Sequence, residues 1–585
     1  MHSRRFATVV VAALFPVLAT WSLTAQDFQP ILIDHHRAIP MRDGVTLYAD
    51  VYRPSRDGRF PTIVVRTPYG VQREGAGSHD RLVQLGRMGY SVVNVDTRGR
   101  FESDGAWDPF RTEGKDGFDV IEWAAKQPWS TGKVSTQGGS YLGHVQWAAA
   151  SEQPPSLVAA FPAVASTNLY ANWITHGGAF RLAFNFGWGV VRMPYRVMQP
   201  QWYFTGKDAA PELRYEQLLR HLPLETMDER AFQHPVRHWR DWVQHESYDA
   251  YWKEISDEEK FSRVQVPVMT QGGWFDIFLA GTINGFVGVR KQGGNERARQ
   301  LTRMVIGPWG HGPSRKFGDL DFGAEAERLL FDYEARWQDF HLKGVANGVD
   351  KDAPAQIFYM GVNRWRGEQD WPIPGARDAR WYLHEGGRLS STAPAGESST
   401  RYRYDPDDPV PTTGGNNCCG VPTVAGPVDQ APLQSRQDIV RFTSDVLTEP
   451  LTIAGPVKMD LHATTDGRDT DWVVKLIDVH PDGRAFPMAE GVLRARFRQG
   501  LSTPALLEPG TAYRYEIDMV GTALVFQPGH RIRVDITSSN FPQFDRNLNT
   551  GDPLGKGTKP RVAQQTVWHS AARPSAIVLP VVRGF

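Results

Sequence analysis

Between residues 40 and 165, short apolar runs alternate with segments whose apolar positions recur every three or four residues. "VTLYADVY" and "TIVVRT" read as strands, "RLVQLGRM" as a helix and "YSVVNV" as a buried strand, and Phe118, Ile121 and Ala125 mark one face of a second helix. "KVSTQ" leads as a strand towards Ser140, "YLGHVQWAAASEQ" suits a helix that stops before Pro154 and Pro155, and "LVAAF" is the next buried strand. Strands alternating with helices predict a mostly parallel sheet covered on both faces.

From about 166 to 261 that rhythm breaks. The segment is rich in Trp, Phe, Tyr, His and Met, with helical candidates and no clear strands, and reads as an inserted cap. Strand and helix patterns resume with "VQVPVMTQGGW" and "RMVIGPWGHG", and Leu329, Leu330, Tyr333, Trp337 and Phe340 then form one helical stripe that would close the unit against its sheet. Beyond about 349 the pattern is period-2 alternation among many Pro and Gly. In "HRIRVDIT", Ile532, Val534 and Ile536 share one face, with Arg531, Arg533 and Asp535 on the other. So many short strands predict a β-sandwich of jelly-roll type. The expected organisation is therefore an α/β domain over 26–165 and 262–348, a helical cap over 166–261 and an all-β domain over 349–585.

The first residues add a different signal. "MHSRRFATVVVAALFPVLATWSLTAQ" has two arginines, an apolar run of signal-peptide length interrupted by Pro16, and small residues near Ala25. Export to the periplasm or beyond, with processing after about Ala25, is expected, and no later segment is apolar enough to span a bilayer. Charge excludes other classes. Lys plus Arg equals Asp plus Glu at 65 each, without like-charge blocks, so neither nucleic acid nor an anionic membrane is the expected partner. A small, roughly neutral molecule is, with self-association into a homo-oligomer allowed. The two cysteines are adjacent, Cys418 and Cys419, and give no disulfide framework and no C-x-x-C site; a vicinal disulfide and two thiols both fit. With no clustered metal-ligand spacing, neither metal nor cofactor is expected.

The candidate chemistry centres on "TQGGSYLGHV". A serine hydroxyl needs a base to take its proton and a third group to orient that base. Asp276 follows a strand in "GGWFDIF" and His311 follows another in "GPWGHG", in the chain order Ser, Asp, His and at the sheet edge where open α/β sheets carry their sites. Each residue has a plainer reading: a structural turn, a helix cap, one histidine of 17. His144 and His176 compete for the base.

"MRDGVTLYADVYRP", "VVRTPYG", "VDTRGRFESDG", "GGSYLG", "GGWFD", "IGPWGHG" and "FQPGHRIRVDITSSNFPQFDRN" together resemble the cocaine esterase and X-prolyl dipeptidyl-peptidase group of α/β-hydrolases, which includes α-amino acid ester hydrolases and glutaryl cephalosporin acylases. The resemblance covers nearly the whole mature chain. It implies an α/β-hydrolase domain with a helical cap and a C-terminal jelly roll, and an elbow of the form G-x-S-Y-x-G. Gly138 would give the turn room, and Gly143 would let the next helix approach the sheet. It also implies Ser140 as nucleophile, His311 as base, Asp276 as its orienter, and an oxyanion hole from the Tyr141 backbone N–H and the Tyr69 phenol.

The α-amino acid ester hydrolases place carboxylates at the second and third positions after the catalytic aspartate. Here those positions are Phe278 and Leu279, which cannot stabilise a buried ammonium. An ordinary acyl ester or amide is thus the expected substrate, and the resemblance to the cocaine esterase branch, where an aromatic at that place lines the acyl pocket, implies the same for Phe278. Trp173 and Trp188 of the cap are further lining candidates that core packing would explain equally well. The alternatives are an X-prolyl dipeptidyl-peptidase or α-amino acid ester hydrolase and, from another class, a carbohydrate-binding or adhesive protein with an inert hydrolase unit.

Overall fold

A computed structural model of the protein describes residues 30–71, 79–193, 215–232, 235–329, 332–419 and 423–585. The signal segment expected over 1–25 lies outside the described residues.

Ten strands form the first sheet: β1 (Leu32–Pro40), β2 (Thr46–Arg53), β3 (Phe60–Thr67), β4 (Ser91–Asp96), β5 (Ser130–Gly139), β6 (Leu157–Ala163), β7 (Met269–Gly273), β8 (Arg303–Gly307), β9 (Ala355–Tyr359) and β10 (Arg364–Glu368). Their order is β1-β2-β4-β3-β5-β6-β7-β8-β9-β10. From β4 to β9 every pairing is parallel. The pairings of β2 with β1 and β4, and of β9 with β10, are antiparallel. Alternation sorts the side chains: Val64, Val93 and Val95 pack with Val120, Ile121 and Ala124 of helix α2 (Glu113–Ala125), whereas Ile63, Val65 and Val92 pack with Leu82 and Leu85 of α1 (His79–Arg87). Both faces are therefore dry, as a parallel sheet requires.

The closing stripe forms in part, on a helix at Asp332–Gln338. Tyr333 and Trp337 are buried with Phe161, Met269 and Val305, and Leu329 and Phe340 lie alongside. Leu330 lies outside the described residues. The sheet itself runs on past the expected boundary at 348: β9 pairs parallel to β8, and β10 returns antiparallel as far as Glu368. Alternation announces a strand without saying which sheet it joins.

The cap expected over 166–261 holds helices at Arg237–Gln244 and Ala250–Ile255 and wide single turns at Tyr170–Ile174 and Phe186–Arg192. It also contains a hairpin that its helical reading lacked, Thr175–His176 against Ala179–Phe180. Gly177 and Gly178 turn it at φ of 51° and 79°, and a methyl group on Gly178 would stand 2.1 Å from the Phe497 ring. The C-terminal domain crowds this turn, which only glycine fits.

That domain is a thirteen-stranded, almost wholly antiparallel sheet, folded as a β-sandwich of jelly-roll type. In strand Arg531–Thr537 both faces are buried. Arg533 on the polar face donates to Asp535 at 2.8 and 3.0 Å, so that face is covered and internally paired.

Candidate active site

Ser140 links β5 to α3 (Tyr141–Ser151) with φ 63° and ψ −127°, a conformation that residues with a side chain seldom adopt. Its N–H donates to the Ala163 carbonyl of β6 at 3.0 Å, and its carbonyl accepts from His144 at 3.0 Å. The glycines explain how so sharp a turn is tolerated. Gly138 has φ 143°, and a methyl there would meet the Leu142 Cβ at 2.6 Å; one on Gly143 would meet the Ala165 Cβ at 2.5 Å and the Ala163 carbonyl oxygen at 2.9 Å. Gly143 thus permits α3 to lie close over the end of β6.

Asp276 follows β7 and His311 follows β8, so Ser140, Asp276 and His311 leave the carboxyl ends of strands in one parallel array. The Asp276 carboxylate is fully buried, and its Oδ1 lies 2.8 Å from His311 Nδ1. That contact fixes a tautomer with the proton on Nδ1 and leaves Nε2 as the basic nitrogen. The competing histidines are engaged elsewhere. His144 Nδ1 lies 3.1 Å from Asp257, and His176 Nε2 lies 3.3 Å from the Asp518 carbonyl oxygen. Burial, with Arg181 nearby, pushes the His176 imidazole down to about 3 and keeps it neutral.

Tyr69 stands just beyond the end of β3, and its hydroxyl accepts from Trp188 Nε1 at 3.2 Å. The Tyr141 N–H is the first of α3, among the amides that have no partner within a helix. Its side chain is clamped: the hydroxyl donates to Glu113 Oε1 at 2.7 Å, while Arg66 donates to Glu113 Oε2 at 2.6 Å. Burial and the Glu113 charge raise the Tyr141 phenol well above its ordinary range.

Trp173, Trp188 and Phe278 meet in one aromatic cluster. Phe278 lies 4.5 Å from Trp173 and 5.4 Å from His311 between ring centroids, and Trp173 lies 5.2 Å from Trp188. Phe110, Phe184 and Trp242 complete it, none of them marked by sequence pattern. The buried Trp173 Nε1 has no protein partner.

The C-terminal domain reaches this site. Asn416 Nδ2 donates to the carbonyl oxygens of Trp274 and Asp276 at 2.9 and 3.1 Å, and Asn417 bridges to Asp276 in strand fashion. Glu490 in turn accepts from the Asn416 N–H at 2.8 Å. Cys418 and Cys419 are joined as a disulfide, with the Cys418 side chain buried in the cluster that holds Ile277 and Phe278. Behind Asp276 a small cavity is lined by Arg181, His176, Glu490 and Gln543. No local signal marks these residues; their common neighbour is known only from the fold.

Comparison with known proteins agrees with this architecture. Residues 43–313 match the model of the X-Pro dipeptidyl-peptidase (S15 family), and residues 347–578 match that of the X-Pro dipeptidyl-peptidase C-terminal non-catalytic domain. A cocaine esterase of Rhodococcus sp. (strain MB1 Bresler) is 34% identical over 93% of this chain and 98% of its own. An aminopeptidase from a marine sediment Thaumarchaeota archaeon superposes with a TM-score of 0.85 at 26% identity, covering 99% of this chain and 100% of that one. An α-amino acid ester hydrolase superposes with a TM-score of 0.83 at 28% identity, covering 97% and 100%.

Proposed function

This chain belongs to the X-Pro dipeptidyl-peptidase (S15) family and is an ester-hydrolysing enzyme, and we propose that it cleaves acyl esters through Ser140, His311 and Asp276 by way of an acyl-enzyme. His311 Nε2 removes the Ser140 proton as Oγ attacks the acyl carbonyl, while Nδ1–H donates to Asp276 and steadies the imidazolium. The oxyanion accepts from the Tyr141 N–H and the Tyr69 hydroxyl. His311 then protonates the leaving alcohol, and a water deprotonated by the same nitrogen releases the acid. The observation that carries this reading is the Asp276–His311 contact at 2.8 Å on the strand edge that presents the strained Ser140.

Phe278 and Leu279 set the substrate class. Both are buried, and Phe278 is wedged between His311 and Trp173, so an acyl chain or ring is favoured there and an α-ammonium is not. Export fits the apolar N-terminal run, and a mature protein beginning after Ala25 would establish it. One panel tests the assignment. A fluorophosphonate should label Ser140 alone, Ser140→Ala should lose turnover with an unchanged melting curve, and aryl esters should outrun α-amino esters and X-Pro amides. Labelling at another serine would overturn the nucleophile. A preference for α-amino esters or X-Pro amides would overturn the substrate class and point to carboxylates from the cap.

A further inference from the structure

The disulfide has a second neighbour. A ring nitrogen of His311 and the sulfur atoms of Cys418 and Cys419 all lie within 4.8 Å of one another. The loop that carries the sulfurs is held to the α/β domain by Asn416 and Asn417, and Arg192 donates to the Cys419 carbonyl at 3.0 Å. None of these ties depends on the sulfur–sulfur bond, so cleavage leaves both thiols beside the imidazole. Cys418 is buried against the aromatic cluster, while Cys419 is exposed and open to a reductant.

We propose that Cys418 and Cys419, once reduced, form with His311 a site for a soft divalent cation that withdraws the imidazole from catalysis. Two thiolates and an imidazole are the donors such ions prefer. Bonds of about 2.3 Å to sulfur and about 2.0 Å to nitrogen put ligand atoms roughly 3.5 Å apart, so small side-chain rotations bring this set into register. The steps balance. A trialkylphosphine takes the disulfide and one water to two thiols and the phosphine oxide, a two-electron reduction. The cation then displaces the two thiol protons and accepts the lone pair of His311 Nε2, while Nδ1 keeps its bond to Asp276. The disulfide offers no thiolate and holds no such ion at this place, so withdrawal of His311 by a soft metal requires the reduced form. The expectation of no metal came from spacing along the chain, which cannot register a pair and a histidine brought together from two domains.

The loss of activity rests on His311 being the base; the binding does not. Wild-type protein is split into oxidised and phosphine-reduced portions, desalted without air, and titrated with Cd2+. The reduced portion should bind one more Cd2+ per chain than the oxidised, with a new thiolate-to-cadmium absorption in the ultraviolet. Its aryl-esterase activity should fall roughly tenfold or more and return with a chelator. Reduced His311→Ala should titrate at roughly tenfold higher Cd2+. No new absorption on reduction, or equal titration of His311→Ala and wild type, would overturn the site. Full activity at saturation would overturn the withdrawal of the base. The assignment of His311 as base is judged separately: metal-free His311→Ala that retains activity defeats it, and the absorption still reports on the site.

Discussion

The edge of the parallel sheet and the interior of the C-terminal domain both bury charge, with opposite outcomes. In the second, Arg494 donates to Asp471 and Asp545 at 2.7 to 2.9 Å, Arg496 donates to Asp469 at 2.7 Å, and Asn547 bonds both Asp469 and Asp471. In the first, Asp276 is equally buried, yet only Oδ1 is bonded and Oδ2 has no protein partner. Saturated buried charge locks one conformation; buried charge left with an unmet valence polarises what stands beside it.

Substitutions in each region test that contrast. Asp276→Asn should show the largest effect, a fall in kcat of about 10⁴ with an unchanged urea midpoint, because the amide no longer enforces the His311 tautomer. Arg494→Met should do the reverse. It strands Asp471 and Asp545 without their cation and should cost about 3–5 kcal/mol of stability, read as a lower urea midpoint, while kcat per folded chain is kept. If Asp276→Asn unfolds the protein, or Arg494→Met slows the chemistry, the contrast fails. Tyr69→Phe sharpens it within the site: loss of one oxyanion donor should lower kcat by about 10² to 10³ with little change in KM, and a variant matching wild type in kcat would move the donor elsewhere.

The smallest effect concerns the cap. Burial holds the His238 imidazole down at about 4, although the Gly189 carbonyl at 2.7 Å favours its proton. A folded value below the unfolded one means stability that is complete above about 6.5 and is lost as pH falls towards 4. Between pH 7 and pH 5 this residue accounts for at most about 2 kcal/mol. His238→Gln should shrink the acid shift of the urea midpoint by up to that amount, and an identical shift in both proteins would refute it.

The strand-end placement of Ser140, Asp276 and His311 and the pairing of the last two were legible in the sequence because each carries a local mark, a strand ending in glycine and a polar residue, and because their order along the chain restricts the partners. The nearness of Phe278 to His311 was expected from its offset from Asp276. The cap was legible only as a change of character. Trp173, Trp188, Trp239 and Trp242 are buried from all sides, so no apolar stripe records how its short turns are arranged. Strands β9 and β10 lie past the boundary expected at 348, since a general alternation does not say which sheet a strand joins. The Arg66–Glu113–Tyr141 clamp and the contacts of Asn416 and Cys418 were illegible, since each joins distant segments through side chains that also suit a solvent-facing loop.

The loop at Asn416 to Cys419 ties the site to the timing of synthesis. A ribosome delivers Ser140, Asp276 and His311 well before this loop, so a growing chain holds the three side chains while the Asp276 backbone still lacks its strand-like neighbour. A chain cut short before residue 416 would carry Ser140, Asp276 and His311 without the strand-like rail beside the Asp276 backbone.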